Sequence, residues 1–97
     1  MYGATAANSD GNARGDPYEQ TIEIFTLIQD ALHSVKAELR DVVRTRIYVV
    51  NIADSDKIGR AHGGIYGRIL LAATMVEIKS LITPSFLVEI EADAIVR

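Results

Sequence analysis

Apolar side chains recur every three or four residues between positions 18 and 39, and this spacing predicts an amphipathic helix. Asp16, Pro17 and Glu19 mark its start. Asp16 can cap the first turn, the proline suits that turn because its missing N–H would be unpaired there, and Glu19 completes a capping-box-like pattern. The apolar stripe comprises Tyr18, Ile22, Phe25, Ile28 or Gln29, Leu32, Val35 and Leu39. We expect one face of this helix to pack on a sheet.

Alternation with a period of two predicts the strands. Residues 42–51, VVRTRIYVVN, are rich in β-branched and aromatic residues. Their apolar side comprises Val43, Thr45, Ile47 and Val49, opposite Arg44, Arg46 and Tyr48. Residues 74–79 and 86–96 predict two more strands, joined by a loop at Pro84 because proline cannot donate to a strand ladder. The apolar side of the last strand comprises Phe86, Val88, Ile90, Ala92, Ala94 and Val96. Residues 2–6 could add a short strand.

A second helix is predicted from an N-cap in residues 54–56 to about Arg68, with Ile58, Ala61, Ile65 and Ile69 on its inner side. It contains four glycines, which together lower its helical preference by roughly 3 to 4 kcal/mol. Gly59, Gly63 and Gly67 are four residues apart and form a smooth stripe. Two interpretations remain open: the stripe packs closely against a strand or helix, or it leaves room for a ligand.

This order of elements predicts one α+β domain over residues 1–97, in which two helices cover one face of a small mixed sheet. The opposite face would carry charges of both signs, which are Arg44, Arg46, Glu77, Lys79, Glu89, Glu91 and Asp93 together with Tyr48. Such a face is either solvated or closed against identical copies with opposite charges meeting. We expect Glu89 and Asp93 to pair with the arginines or with a neighbouring subunit.

Composition narrows the function classes. A chain of 97 residues has a modest core, so association with other subunits is expected. The net charge of -3 provides no general attraction for phosphate backbones, which argues against a nucleic-acid partner. There is no cysteine, no apolar run long enough to span a membrane and no signal-peptide pattern. These features predict a cytoplasmic protein without a membrane partner.

Four strings in order, VVRTRIYVVNIAD, RAHGGIYG, TMVEI and VEIEADAIVR, resemble the RidA family, also called YjgF/YER057c/UK114, and the resemblance covers about residues 2 to 97. It implies a chorismate-mutase-like α+β fold and a homotrimer with sheets inward, helices outward and a small-molecule cleft at each subunit interface. The best known activity of the family is hydrolysis of 2-imino or enamino acids to 2-oxo acids and ammonia. The family is also labelled endoribonuclease (L-PSP) or translation inhibitor. The net negative charge of this chain disfavours both roles, because it provides little attraction for RNA.

The resemblance also implies site residues. The acid that positions water in the family falls on Glu91, and the glycine of its first-strand Ser-Gly motif falls on Gly3, with Tyr2 in place of the serine. The arginine that holds the substrate carboxylate falls on Ala73, which is followed by Thr74. The carboxylate anchor of the family is therefore absent from this chain.

Further departures from the family pattern accompany the missing arginine. The family's nearby cysteine becomes Met75, and its asparagine in the second helix falls at Gly59. The family normally has about 25 more N-terminal residues, which form a hairpin, so the resemblance implies a fold truncated at the N-terminus. A true deletion and a misplaced start both remain open.

Three functional hypotheses follow. The leading one is a RidA-like homotrimer that binds a small metabolite in an interfacial cleft and lacks the deaminase activity. The second is a hydrolase or deaminase acting on a different imine or enamine, with Glu91 orienting water and Thr74, His62 or backbone N–H groups replacing the arginine contact. The third is a regulatory or interaction protein. Arg60 and Arg68 could also replace the anchor but are expected to be surface charges.

Neither a cofactor nor a metal is implied. His33 and His62 are separated in sequence, and without cysteine they do not supply a ligand set. His62 is expected to be a structural, hydrogen-bonding histidine more readily than a catalytic base, and His33 a residue of the helix surface.

Overall fold

The computed structural model describes residues 2–4, 11–67 and 72–95. Its elements follow the order β1 (Tyr2–Ala4), α1 (Pro17–Ser34), β2 (Val42–Val49), α2 (Ser55–Tyr66), β3 (Ala72–Glu77) and β4 (Val88–Ala94). Short 3-10 turns at Leu39–Asp41 and Ile52–Asp54 precede β2 and α2. Ile69 and Val96, predicted to face the core, and Arg68 lie outside the described residues.

The four strands form one mixed sheet in the order β1-β4-β2-β3. β4 is antiparallel to both β1 and β2, whereas β3 runs parallel to β2. The parallel pair requires a crossover connection, which α2 supplies. The helices pack on one face of this sheet, so the predicted two-layer α+β class is confirmed.

The predicted start of the first helix is confirmed in atomic detail. The Asp16 carboxylate accepts the Glu19 N–H at 2.8 Å, and the Glu19 carboxylate accepts the Asp16 N–H at 3.1 Å. These reciprocal bonds satisfy two backbone donors at the helix N-terminus that have no partner within the helix. The helix ends at Ser34, and the chain then turns through Lys36, whose φ of 62° lies in the left-handed region.

The predicted apolar stripe of α1 was only partly right. Phe25, Ile28 and Leu32 are buried as expected, but Tyr18, Ile22 and Val35 are exposed. The buried face of the helix consists of Pro17, Gln20, Thr21, Ile24, Phe25, Ile28 and Leu32. Two polar residues therefore take places that hydrophobicity alone assigned to Tyr18 and Ile22.

An irregularity at the start of β2 corrects a second prediction. Val42 pairs with Ala94 and Arg44 pairs with Asp93, so Val43 is an extra residue without a direct partner on β4. Such a bulge reverses the alternation at that point. As a result Val42 is buried and Val43 is exposed, whereas the predicted burial of Thr45, Ile47 and Val49 is confirmed.

Strand β3 also differs from the prediction. Its register places Glu77 beside Val49, which is buried beneath the helices, so Glu77 belongs to the helix side of the sheet and not to the charged face. Glu77 stays exposed because it lies at the end of an edge strand, and its carboxylate accepts the N–H of Ile52 at 2.8 Å. Lys79 lies beyond the end of the strand.

Candidate functional site

Four side chains form a hydrogen-bonded cluster on the sheet face that the helices leave uncovered. They are Arg46 and Tyr48 of β2 and Glu91 and Asp93 of β4, and we call them the open-face cluster. The Tyr48 hydroxyl donates to Glu91 Oε1. The Arg46 guanidinium donates two hydrogen bonds to the Asp93 carboxylate, from Nη1 to Oδ2 at 3.0 Å and from Nη2 to Oδ1 at 3.3 Å. Its Nε lies 3.8 Å from Glu91 Oε1.

The register of the two strands explains these contacts. Arg46 lies directly opposite Glu91, and Tyr48 lies opposite Glu89. Long side chains on an antiparallel pair also reach the diagonal neighbour, and here Tyr48 reaches Glu91 and Arg46 reaches Asp93. Glu91 thus lies between a phenol and a guanidinium, and the predicted pairing of Asp93 with an arginine is confirmed.

Contacts within the open-face cluster shift the pKa values of three of its members. The hydrogen bond to Glu91 raises the pKa of the Tyr48 phenol, because it stabilises the protonated form. The two bonds from Arg46 lower the pKa of Asp93, and the same bonds raise the pKa of Arg46. The side chains of Arg46, Glu91 and Asp93 remain 27%, 23% and 34% exposed, so the charges are only partly withdrawn from water.

The cluster sits in a row that crosses the whole sheet. Gly3 of β1 is opposite Glu91, Glu91 is opposite Arg46, and Arg46 is opposite Thr74 of β3. The row brings three of the positions singled out in the sequence to one level of the sheet, although they are far apart along the chain. Tyr2 lies one position away, opposite Ala92.

A family model described as Endoribonuclease L-PSP matches residues 2–96. The chain belongs to this family. The Streptomyces coelicolor protein SCO2049 is 31% identical over 95 residues, which are 97% of this chain and 71% of that protein. The crystal structure of Rv2704 from Mycobacterium tuberculosis, described as a member of the YjgF/YER057c/UK114 family, is 41% identical with a TM-score of 0.88, covering 99% of this chain and 76% of that one.

The fold extends to more distant members of the YjgF family. The YjgF gene product of Escherichia coli is 20% identical and superposes with a TM-score of 0.87, covering 100% of this chain and 79% of its own. The predicted relationship to the RidA family is therefore confirmed, and so is the fold that it implied. The chain spans between 71% and 79% of the length of these three relatives.

The positions that the family resemblance assigned to the site do not all meet within one chain. Ala73 lies opposite Thr45, and Met75 lies opposite Ile47. Because Thr45 and Ile47 are buried beneath the helices, Ala73 and Met75 belong to the helix side of β3, and Met75 packs against the core. Glu91 is on the opposite face, next to Arg46. Within a single chain the sheet therefore separates Glu91 from Ala73.

The glycines of α2 are not closely packed within the chain. A Cβ built on Gly59 or Gly63 would meet no described atom within 4 Å, whereas one on Gly67 would meet the Gly63 carbonyl at 2.9 Å. Of the two interpretations of the stripe, close packing against a strand or helix is therefore wrong for Gly59 and Gly63 among the residues the structure describes. Both positions present bare backbone on the outer side of the helix.

His62 is part of a polar and aromatic cluster beneath the sheet. Its Nε2 lies 3.0 Å from the Oγ1 of Thr45, a fully buried residue, and its ring contacts those of Phe25 and Tyr66. Burial raises the pKa of the Tyr66 phenol to about 12, and its hydroxyl is buried with no hydrogen-bond partner among the described residues. These contacts favour the structural interpretation of His62 and place it on the other side of the sheet from Glu91.

Acidification should destabilise the fold through His62. Burial lowers the pKa of its imidazole below the ordinary 6.5, so in mildly acidic solution the unfolded chain binds a proton that the folded chain does not. The free energy of unfolding is therefore expected to fall as the pH drops below about 6.5 and to level off below the folded pKa. An NMR titration of the imidazole signals measures this pKa directly.

The two imidazole signals can be assigned with a His33→Gln variant, since His33 lies exposed on α1 and its replacement leaves His62 in place. A His62→Gln variant should lose the remaining imidazole signal and show a weaker dependence of stability on pH below about 6.5. A folded-state pKa of His62 at or above 6.5 would contradict the assignment.

Tyr48 is the site residue that sequence reasoning overlooked. The alternation of β2 placed it on the charged face, but only the strand register shows that its hydroxyl reaches Glu91 and not the Glu89 opposite it. Within residues 2–4, 11–67 and 72–95, no three His, Asp or Glu side chains converge as a metal site. In the same ranges no helix has the length and hydropathy to cross a membrane.

Proposed function

We propose that this chain acts as a homotrimer that binds a small metabolite in a cleft between subunits, without the 2-imino acid deaminase activity attributed to the arginine-bearing members of its family. The observation that carries the proposal is the division of the family's site positions between the two faces of the sheet. Glu91 lies on the open face and Ala73 on the helix side, so the two can line one cleft only when they come from different chains.

The open face itself supports association. It holds both an arginine and several acids in partly exposed positions, which suits a symmetric contact between identical copies. Sedimentation equilibrium at micromolar concentration measures the assembly state, and the expected mass is that of three chains. A monomer under these conditions would remove the basis for an interfacial cleft.

The missing guanidinium supports the loss of the deaminase reaction. A carboxylate-bearing substrate is best held by two parallel hydrogen bonds from arginine, and Ala73 supplies only a methyl group. Arg46, which is nearer to Glu91, is already engaged by both oxygens of Asp93. An imino acid would therefore lose its main orienting contact, and orientation supplies a large part of such rate enhancements.

An assay that generates 2-imino acids enzymatically in the presence of the protein tests the loss of activity. We expect ammonia release at the rate of the protein-free control. Rapid, protein-dependent release that Glu91→Gln abolishes would overturn the proposal. Glu89→Gln is the matched control, because it removes a charge from the same strand and the same face two residues earlier.

One observation favours an alternative activity on a different imine or enamine. Thr74 and His62 are the two side chains considered as substitutes for the arginine contact. Thr74 lies in the same cross-sheet row as Glu91, whereas His62 of the same chain lies on the opposite face of the sheet, so the Thr74 hydroxyl is the better substitute. In this alternative Glu91 orients the attacking water as a general base. Hydrolysis of a carboxylate-free imine that is sensitive to both Glu91→Gln and Thr74→Val would support it.

A further inference from the structure

A concave site lies at the end of the sheet, away from the open-face cluster. The segment between β3 and β4 shapes a pocket of about 250 Å³ together with Val50, the residue that follows β2. Since β2 and β3 are parallel, the pocket opens at the carboxyl ends of these two neighbouring strands. Glu91 and Arg46 do not line it.

The walls of this pocket are fixed by hydrogen bonds. The Phe86 N–H donates to the Thr83 carbonyl at 3.0 Å and closes a turn, and the Val50 N–H donates to the Leu87 carbonyl at 3.5 Å. The buried side chain of Gln20 donates to the Ser85 carbonyl at 3.0 Å and so ties the turn to α1. The side of the pocket formed by Val50 and residues 83–86 is therefore preformed, and a ligand would not bear the free-energy cost of ordering that side.

The described lining combines the ammonium group of Lys79 with apolar side chains. Lys79 is exposed and has no acidic partner among the described residues, and the hydroxyls of Ser80 and Thr83 make no hydrogen bond to any described group. Phe86, which is 5% exposed, and the half-buried Leu81 supply the apolar surface. Among its described residues the pocket thus offers one positive charge and two hydroxyls beside a hydrophobic surface.

We propose that this pocket binds a small monocarboxylate with a compact apolar tail. The carboxylate would lie on the Lys79 ammonium and accept hydrogen bonds from Ser80 and Thr83, and the tail would rest on Leu81 and Phe86. A single cation matches a single negative charge, whereas a phosphate ester would leave charge uncompensated. The volume lies below the roughly 300 to 1,000 Å³ of sites for drug-sized ligands, which limits the tail to a few carbons. This site is independent of the proposed cleft at Glu91.

Titration of the isotopically labelled full chain with 3-methylbutanoate, followed by amide NMR shifts, tests the proposal. Saturating shifts centred on residues 79–86 are expected, with a dissociation constant on the order of 1 mM, the affinity of a weak small-ligand complex. Acetate, which lacks the tail, and 3-methylbutanamide, which lacks the charge, should each bind more weakly by roughly tenfold.

Variants separate this site from a general attraction to anions. Lys79→Gln should weaken binding of 3-methylbutanoate roughly tenfold, and Thr83→Val should weaken it less. Lys57→Gln, at an exposed position of α2, should leave it unchanged. Glu91→Gln should bind 3-methylbutanoate as tightly as the unmodified chain does. The test of this pocket therefore does not depend on whether the proposed cleft at Glu91 exists. Absence of saturating shifts at residues 79–86, or equal binding by Lys79→Gln, would overturn the proposal.

Discussion

Replacing Phe25 by alanine is expected to lower the free energy of unfolding by about 3 to 5 kcal/mol. The ring is 2% exposed and meets the rings of His62 and Tyr66 edge-on, at centroid distances of 5.6 and 5.5 Å. Truncation removes both the buried area and these aromatic contacts, and it leaves a cavity between the helices and the sheet. Small domains are stable by only about 5 to 15 kcal/mol, so the variant should be close to unfolding at moderate temperature.

Urea unfolding followed by circular dichroism measures the Phe25 effect, at one protein concentration because association would add to the apparent stability. Phe25→Leu should have a smaller cost, since it keeps most of the volume. Ile82→Ala serves as the surface control, because Ile82 is 92% exposed and its truncation should change stability by no more than about 0.5 kcal/mol. A cost for Phe25→Ala below about 1.5 kcal/mol would show that the core does not depend on this ring.

Replacing Gln20 by alanine is expected to cost about 2 to 4 kcal/mol, a large effect for a polar residue. Gln20 is buried, and its amide donates to the Ser85 carbonyl while its Oε1 accepts the Leu87 N–H, both at 3.0 Å. Both partners lie more than 60 residues away along the chain. Alanine would leave that carbonyl and that N–H without the amide partner. It would also remove the hydrogen bonds that join α1 to residues 85–87, the segment before β4.

Two further variants define the role of Gln20. Gln20→Glu keeps the shape and the acceptor but loses the donor to Ser85, so it should also destabilise the chain. Gln29→Ala is the matched control on the same helix, because Gln29 makes no hydrogen bond through its side chain to any described residue. Hydrogen exchange at the Leu87 amide should accelerate in Gln20→Ala and not in the control. Unchanged stability together with unchanged exchange at Leu87 would contradict the assignment.

These two residues illustrate how far the sequence alone could predict the fold. Phe25 lay on the predicted apolar stripe and is buried, as helical spacing predicts for the face of an amphipathic helix that packs on a sheet. Gln20 was not on that stripe, since nothing local shows that a glutamine will be buried. Its partners are Ser85 and Leu87, which lie just before β4. A buried amide is tolerated only when such partners form hydrogen bonds with it. Conversely Ile22, apolar and on the predicted stripe, is exposed.

In the candidate site, too, the sequence predicted some features and only the structure revealed others. Period-two alternation placed Arg46, Glu91 and Asp93 on one face, and family resemblance singled out Glu91. The structure adds the register, which sets Tyr48 and Arg46 on either side of Glu91 and commits Arg46 to Asp93. It also places Ala73 on the opposite face.

The sequence by itself determined the order of helices and strands, the capped start of α1, the burial of most strand positions and the family. Each of these depends on local periodicity, on capping chemistry or on short strings, which neighbouring residues specify. Only the tertiary structure decided the bulge at Val43, the burial of Gln20, the side of the sheet to which Glu77 belongs and the pocket at Lys79. Those features depend on contacts between segments distant in sequence, where register and available partners, not the residue type, determine which side chain is buried and which remains free.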